Sequence, residues 1–227
     1  MKLQEKPTTH NLKDKTNFYD VTIPLKILMK WDTAIDLDLA AAYETKKGKT
    51  GLVYFGDKGN INTFPYMRLG EDCGIGDIIS DSNNPNGGNQ EAIHINEFKE
   101  MKYVYIFCWD YPQVRKGEDG RFKGSNIEFT VSTETKTYTI ETYIDNINLG
   151  NTCCVAYIEE MEDKIQLISC ENWVGTLHRL KNLEQLIGIV RKHHVEKPTE
   201  PTLSFDNIIR NVGKLIDIAS HKARRDD

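Results

Sequence analysis

A two-residue alternation of apolar and polar side chains runs from Ile23 to about Glu171 and constrains the fold more than any other feature. Successive side chains of a β-strand point to opposite faces of the sheet, so this period is typical of strands with one buried face. In the first such segment, the apolar residues of one face are Leu25, Ile27, Met29 and Trp31. Turn residues divide the pattern into roughly nine segments, enough for two packed sheets. The sequence predicts a mainly β protein, a two-sheet β-sandwich.

After Trp173 the apolar spacing changes to that of a helix. The first predicted helix ends near His194, and its apolar stripe is Leu177, Leu180, Leu183, Ile187 and Val190. Pro198 and Pro201 break this helix, and Ser204 can cap a second one. The stripe of the second helix is Phe205, Ile208, Ile209, Val212, Leu215, Ile216 and Ala219.

This change of period divides the chain into parts. The expected domains are an N-terminal segment, a sandwich domain and a C-terminal pair of α-helices, at residues 1–22, 23–173 and 174–227. The helices either pack on the sandwich, which their regular stripes and short linker favour, or leave the second helix free to dock on a partner protein.

Composition narrows the class of protein. A formal charge of −5 and a pI near 5.7 argue against a nucleic-acid surface, which needs clustered Lys and Arg. The five cysteines include no Cys-x-x-Cys pair, so neither a disulfide framework nor a zinc site is expected. The polar N-terminus lacks the apolar core of a signal peptide, and no apolar run is long enough to cross a membrane. We expect a cytoplasmic protein without a membrane span.

The first candidate site residues are Asp36 and Asp38, which share one face of a predicted strand if Ile35, Leu37 and Leu39 face the core. At a separation of ~7 Å, two carboxylates repel by ~0.6 kcal/mol in water and ~2.4 kcal/mol at an effective dielectric of ~20. A bound cation, a nearby Lys or solvent exposure can compensate. An Asp-x-Asp pair on an edge strand is also often only a solvated face.

The second candidate is the loop from Asp81 to Glu91, which concentrates carboxylate and amide oxygens before an apolar strand. Calcium takes about six to eight such oxygens, whereas zinc or copper would require the His or Cys that this loop lacks. The same residue types are the commonest turn formers, so composition alone favours a plain surface loop.

A series of motifs in chain order resembles the tellurium-resistance TerD family. The residues that carry the resemblance are Trp31-Asp32, Asp36-Leu37-Asp38-Leu39-Ala40-Ala41-Ala42, Val53-Tyr54-Phe55, Glu91-Ala92-Ile93-His94-Ile95 and Tyr103-Val104-Tyr105-Ile106-Phe107. The likeness extends from about Ile27 to Cys170. It implies a calcium-binding β-sandwich of bacterial stress-response systems associated with tellurite, phage and colicin resistance.

The resemblance also implies the site residues. The paired aspartates of the family correspond to Asp36 and Asp38, the aspartate that opens its loop to Asp81, and the glutamate that closes it to Glu91. We expect Asn83 and Asn89 to add amide oxygens. Where the family has a Gly-Asp-Gly-Asp-Asp-Glu type sequence, this chain has Gly87-Gly88-Asn89-Gln90-Glu91. Fewer carboxylates predict weaker calcium binding, or one ion where relatives hold two.

These observations favour a non-enzymatic, calcium-dependent binding or scaffolding module, with other stress-response proteins as partners of the C-terminal helices. The alternative is a metal-independent interaction domain that uses its helical tail. A Cys108 nucleophile with His94 as its base ranks below both, because each lies in the centre of a predicted strand. Asp110, at a strand end, either approaches the metal loop or serves an ordinary turn.

Overall fold

The structure is a computed structural model that describes residues 8–11, 18–70, 89–140, 142, 144, 150–161 and 163–175. The strands are β1 (Thr8–Asn11), β2 (Phe18–Val21), β3 (Leu25–Trp31), β4 (Leu37–Thr45), β5 (Thr50–Val53), β6 (Gly59–Asn60), β7 (Met67–Leu69), β8 (Asn89–Ile95), β9 (Met101–Asp110), β10 (Glu128–Ser132), β11 (Lys136–Ile140), β12 (Thr152–Met161) and β13 (Lys164–Gly175). One short helix, α1 (Tyr111–Lys116), follows β9 directly.

The strands form two sheets, which confirms the predicted mainly β, sandwich-like architecture. The seven-stranded sheet has the order β1-β11-β10-β3-β8-β7-β6, and the six-stranded sheet has the order β2-β13-β12-β9-β4-β5. β1 and β11 run parallel, and the other paired strands are antiparallel. Antiparallel neighbours fit short connections such as those between β4 and β5 and between β12 and β13.

The apolar core lies between the sheets, where the two-residue alternation places it. On β3 the buried residues are Leu25, Ile27, Met29 and Trp31, as the sequence predicts. Leu37 and Leu39 face the same core from β4 and are fully buried. Ile35 precedes the strand and packs against the core while partly buried.

β4 departs from simple alternation, because its residues are buried on both faces. Its outward residues Ala40 and Ala42 belong to a second apolar cluster on the outer face of the six-stranded sheet. The aromatic members of this cluster on β9 are Tyr103, Tyr105, Phe107 and Trp109. This outer face points away from the seven-stranded sheet, so its burial requires another element to cover it.

α1 supplies part of that cover. Pro112 lies in its first turn, where a missing N–H is tolerated, and Gly117 ends it in the left-handed conformation, with φ 75°. Val114 is its buried residue and contacts the outer cluster.

The sandwich extends beyond both expected boundaries. β2 pairs with β13 through Val21 and Ile165, and β1 pairs with β11, so strands of both sheets precede Ile23. β13 continues past Trp173 to Gly175. The two predicted C-terminal helices fall on residues 176–227, outside the described residues. No helix in the described ranges is long and apolar enough to span a membrane.

Candidate functional site

Two side chains on the inner face of β8 bind the segment that carries the paired aspartates. The Nδ2 of Asn89 donates to the carbonyl oxygen of Thr33 at 2.6 Å. The backbone N–H of Leu39 donates to Oε2 of Glu91 at 2.6 Å. Asn89 and Glu91 are two residues apart on β8, so they share one face and bind both ends of the segment 33–39.

Glu91 reaches Leu39 where β4 has no strand beside it on that edge. β5 pairs with β4 only from Ala41 to Glu44, so it ends short of Leu39. The carboxylate therefore takes the place of a strand carbonyl. The N–H that it binds belongs to the peptide group between Asp38 and Leu39, which brings Glu91 next to the backbone of Asp38. Glu91 is only 1% exposed.

Asp38 lies on the outer face of β4, opposite Trp109 of β9. The indole Nε1 of Trp109 donates to Oδ2 of Asp38 at 2.8 Å, and Asp38 is 4% exposed. Asp36 immediately precedes β4, is also buried, and accepts a hydrogen bond from the Tyr111 N–H on its backbone oxygen, at 3.3 Å. Both aspartates are buried, so the interpretation of Asp-x-Asp as a solvated edge-strand face is wrong.

Asp110 is the fourth buried carboxylate at this end, and its partner is Arg121. The Arg121 backbone N–H and Nε both donate to Oδ2 of Asp110, at 2.9 and 2.8 Å, and Nη2 donates to Oδ1 at 2.8 Å. The side-chain hydrogen bonds to Asp110 raise the pKa of the Arg121 guanidinium, and the negative charges of Asp110 and Asp36 add to the effect. Asp36 therefore lies within electrostatic reach of the same cation.

Three of these carboxylates lie within electrostatic reach of the Cys108 thiol. Burial raises the pKa of the Cys108 thiol well above its ordinary value, and the charges of Glu91, Asp38 and Asp110 raise it further. We call the set Asp36, Asp38, Asn89, Glu91 and Asp110 the acidic end of the sandwich. Within the described ranges, however, no three His, Cys, Asp or Glu side chains converge closely enough to hold a metal.

One amide oxygen at the acidic end is buried without a hydrogen-bond donor among the described residues. Because the carbonyl of Thr33 can only accept, the nitrogen of Asn89 must face it, and Oδ1 of Asn89 must face the other way. Asn89 is 4% exposed, and its Oδ1 has no partner in the described part of the chain. A cation would satisfy this oxygen as well as a donor does. The oxygen-only donor set fits calcium or magnesium rather than zinc or copper.

Two predicted ligands, Asp81 and Asn83, lie in residues 71–88, outside the described residues. The structure thus brings Asn89 and Glu91 against the segment that carries Asp36 and Asp38, and it leaves the other two as predictions.

The proposed pairing of Cys108 with His94 does not occur. Cys108 is fully buried between the sheets, whereas His94 alternates with the buried Ile93 and Ile95 and is exposed on the outer face of the seven-stranded sheet. Burial of the uncharged thiol also disfavours the thiolate that a nucleophile needs.

Three residues of this end were not predicted from the sequence. Arg121 binds Asp110 from 11 positions away, and the alternation of apolar and polar residues does not predict this pair. The hydroxyls of Thr33 and Ser125 are buried without a hydrogen-bond partner among the described residues. Ser125 also accepts the Asp32 N–H on its carbonyl oxygen, at 3.1 Å, which places it beside Thr33. Thr33 and Ser125 carry neutral hydroxyls and are common in ordinary turns, so the sequence alone does not mark them.

No protein-family model matches this chain, and no curated protein matches it. A solved structure that is similar to it is the crystal structure of an unknown function protein, SAV2460. The two chains share 15% sequence identity with a TM-score of 0.48, and the match covers 69% of this chain and 91% of the other.

Proposed function

We propose that this protein is a calcium-binding, non-enzymatic module of a bacterial stress-response system of the tellurium-resistance type. The observation that carries the calcium part is the buried Oδ1 of Asn89, which has no donor among the described residues; Asn89 shares its face of β8 with the buried Glu91. Leaving such an oxygen unsatisfied costs about 1–3 kcal/mol, which a bound cation recovers.

In this proposal the charged oxygens come from Asp36, Asp38 and Glu91, and Asn89 supplies an amide oxygen. Asp81 and Asn83 complete the set from the loop, since the described residues alone form no three-ligand group. The ion supplies charge neutralisation and a link between the loop and the sandwich. Asp110 is not included, because Arg121 already binds both of its oxygens.

The stress-response part rests on the TerD-like motifs. A scaffolding role in the cytoplasm fits a site whose ligands are buried structural groups, and stress-response proteins are its proposed partners. Its test is genetic: restoring the wild-type gene to a deletion strain should restore tellurite resistance, and restoring the double variant Asp36→Asn/Asp38→Asn should not.

The biochemical test compares unfolding with calcium and with a chelator. A ligand that binds only the folded state stabilises it by RT ln(1 + [L]/Kd), about 2.7 kcal/mol at a calcium concentration of 100 Kd. The variant Asp36→Asn/Asp38→Asn should lose this stabilisation. The matched control is Asp57→Asn/Asp163→Asn, which removes the same charge from two exposed positions and should retain it.

Two results would count against the proposal. The first is a wild-type protein whose unfolding midpoint is the same in millimolar calcium and in chelator. The second is a calcium response that survives in Asp36→Asn/Asp38→Asn. Calorimetric titration with calcium then gives the stoichiometry, which distinguishes one ion from two.

A further inference from the structure

The outer face of the six-stranded sheet shows a gradient of burial. Strand register places the outward side chains in four rows across β4, β9 and β12: Asp38, Trp109 and Thr152; Ala40, Phe107 and Cys154; Ala42, Tyr105 and Tyr157; Glu44, Tyr103 and Glu159. The first two rows and Tyr105 are almost completely buried, and Tyr103 and Tyr157 are 5% exposed. On the flanking strands, Leu52 of β5 and Ile168 of β13 are only partly buried.

The described residues do not supply enough cover for this face. In the described ranges, the members of its apolar cluster come from the sheet itself, from Tyr54 directly after β5 and from α1. With six residues, α1 is about 9 Å long, whereas the rows from Trp109 to Tyr103 extend over about 20 Å of strand. The hydroxyl of Tyr105 is buried without a hydrogen-bond partner among the described residues. Another element must lie on this face of the sheet.

The width of the buried region fits one helix. β4, β9 and β12 are adjacent strands, so their outer strands are about 10 Å apart, and a helix with its side chains is about 10–12 Å across. At the third row, the partial burial of Leu52 on β5 and Ile168 on β13 marks the two sides of that footprint. Nearer to Gly175, Cys170 of β13 is also buried, at 2% exposure. The short side chains of Ala40 and Ala42 allow a close approach on β4.

The chain leaves the sheet at the correct place to provide this helix. Gly175 ends β13 opposite Thr152, and Thr152 lies opposite Trp109, so Gly175 is at the level of the first row. The next residues carry the apolar stripe of Leu177, Leu180, Leu183, Ile187 and Val190. A helix over 177–190 is about 21 Å long, which matches the four rows.

Charge favours one direction for this helix. A helix that starts beside Gly175 and runs along the strands ends at the fourth row, where Glu44 and Glu159 flank Tyr103. The residues that follow the stripe are Arg191, Lys192, His193 and His194. Basic residues at the end of a helix also suit its dipole, which favours the helix but not its direction. The direction therefore rests on the two glutamates.

We infer that residues 177–190 of this chain form a helix that docks on the outer face of its own six-stranded sheet, with the apolar stripe on the rows from Trp109 to Tyr103. This inference does not depend on calcium binding. It assigns to the first C-terminal helix a structural role and restricts partner binding to the segment after it.

Four cysteines provide a test with an internal control. Cys154 and Cys170 belong to the outer cluster, with their Sγ atoms 3.4 Å apart, whereas Cys108 and Cys153 lie between the sheets. In the full chain with Cys73→Ser, labelling with a maleimide under reducing conditions, followed by peptide mass spectrometry, should find all four protected. The variant Leu183→Asp/Ile187→Asp should expose Cys154 and Cys170 while Cys108 and Cys153 stay protected.

The control is Asn182→Asp/Gln185→Asp, which adds the same charge to the predicted polar face of the helix and should leave all four cysteines protected. Protection of Cys154 and Cys170 in Leu183→Asp/Ile187→Asp would overturn the inference, as would equal labelling in the control. Labelling in the stripe variant that falls with increasing protein concentration would mean that a second copy supplies the cover, which also overturns it.

A second measurement needs no substitution in the helix. Labelling of the Cys73→Ser protein in increasing urea should reach Cys154 and Cys170 at a lower concentration than Cys108 and Cys153, because a docked helix can leave before the sandwich unfolds. If all four cysteines become reactive together, the outer face is not covered by a separable helix. This result decides the case even if the stripe variant fails to fold.

Discussion

Replacing Arg121 with Met tests whether the buried Asp110 depends on its cation. The change removes the two hydrogen bonds from Nε and Nη2 and leaves the one from the backbone N–H. Asp110 has 0% side-chain exposure, and removing the partner of a fully buried ion costs about 3–5 kcal/mol. Because the Arg121 side chain is 48% exposed, water can reach part of this site. We therefore expect a loss of about 2 kcal/mol in the free energy of unfolding.

The assay is urea and thermal unfolding, followed by circular dichroism. For a chain of this size, about 2 kcal/mol corresponds to a decrease of about 4–8 °C in Tm. The control is Lys116→Met, which breaks a pair of 3.8 Å to Glu118 in which both side chains are 60% exposed. Such a pair contributes roughly 0.5 kcal/mol or less. Both variants remove one positive charge, so their difference isolates the effect of burial.

A double-mutant cycle decides between burial and general charge effects. In the background of Asp110→Asn, the change Arg121→Met should cost much less, since a neutral amide does not require a cation. The reasoning is refuted if Arg121→Met is no more destabilising than Lys116→Met, or if its cost is the same with Asp and with Asn at position 110.

Two further predictions concern the acidic end and the outer face. Asn89→Asp removes the donor to Thr33 but adds a carboxylate, so the variant should be less stable than wild type in chelator and should gain more stability from calcium. Thermal melts with chelator and with calcium measure the two stabilities, and calorimetry measures calcium binding. An unchanged calcium response would contradict the role of Asn89. Burial raises the pKa of Glu159 despite the opposing charge of Lys102, so the folded state holds the proton more tightly and stability falls as pH rises through the folded-state pKa. Urea unfolding between pH 4 and pH 7 should therefore show a smaller loss for Glu159→Gln than for wild type, and equal losses would refute this.

The sequence predicted those parts of the fold that depend on local periodicity. The alternation of Leu25, Ile27 and Met29 identifies the inner face of β3 directly, because one face of that strand is buried and the other is not. The same logic gave the correct side for Leu37 and Leu39. It did not predict the burial of Ala40 and Ala42, because burial on both faces of β4 depends on what covers the sheet.

The sequence predicted that Asn89 and Glu91 lie near the segment of Asp36 and Asp38, but not which contacts join them. Glu91 binds the N–H of Leu39 across 52 positions, and this pairing follows from the gap beyond the end of β5, which only the sheet register reveals. Asp38 was predicted to be a calcium ligand or else a solvated charge, and its hydrogen bond from Trp109 was not predicted. The β2 strand was missed because Phe18–Val21 is too short, and too close to polar sequence, to show a period.

The two indoles at the acidic end make this protein suitable for label-free spectroscopy. Trp31 donates to the carbonyl of Ile35 at 2.8 Å, and Trp109 donates to the carboxylate of Asp38 at the same distance. The fluorescence emission of Trp109 should therefore respond to a cation that withdraws charge from Asp38. The emission of Trp31 should report the backbone of the loop between β3 and β4. In a Trp173→Phe background, the proposed calcium binding can therefore be tested by fluorescence, at protein concentrations too low for calorimetry.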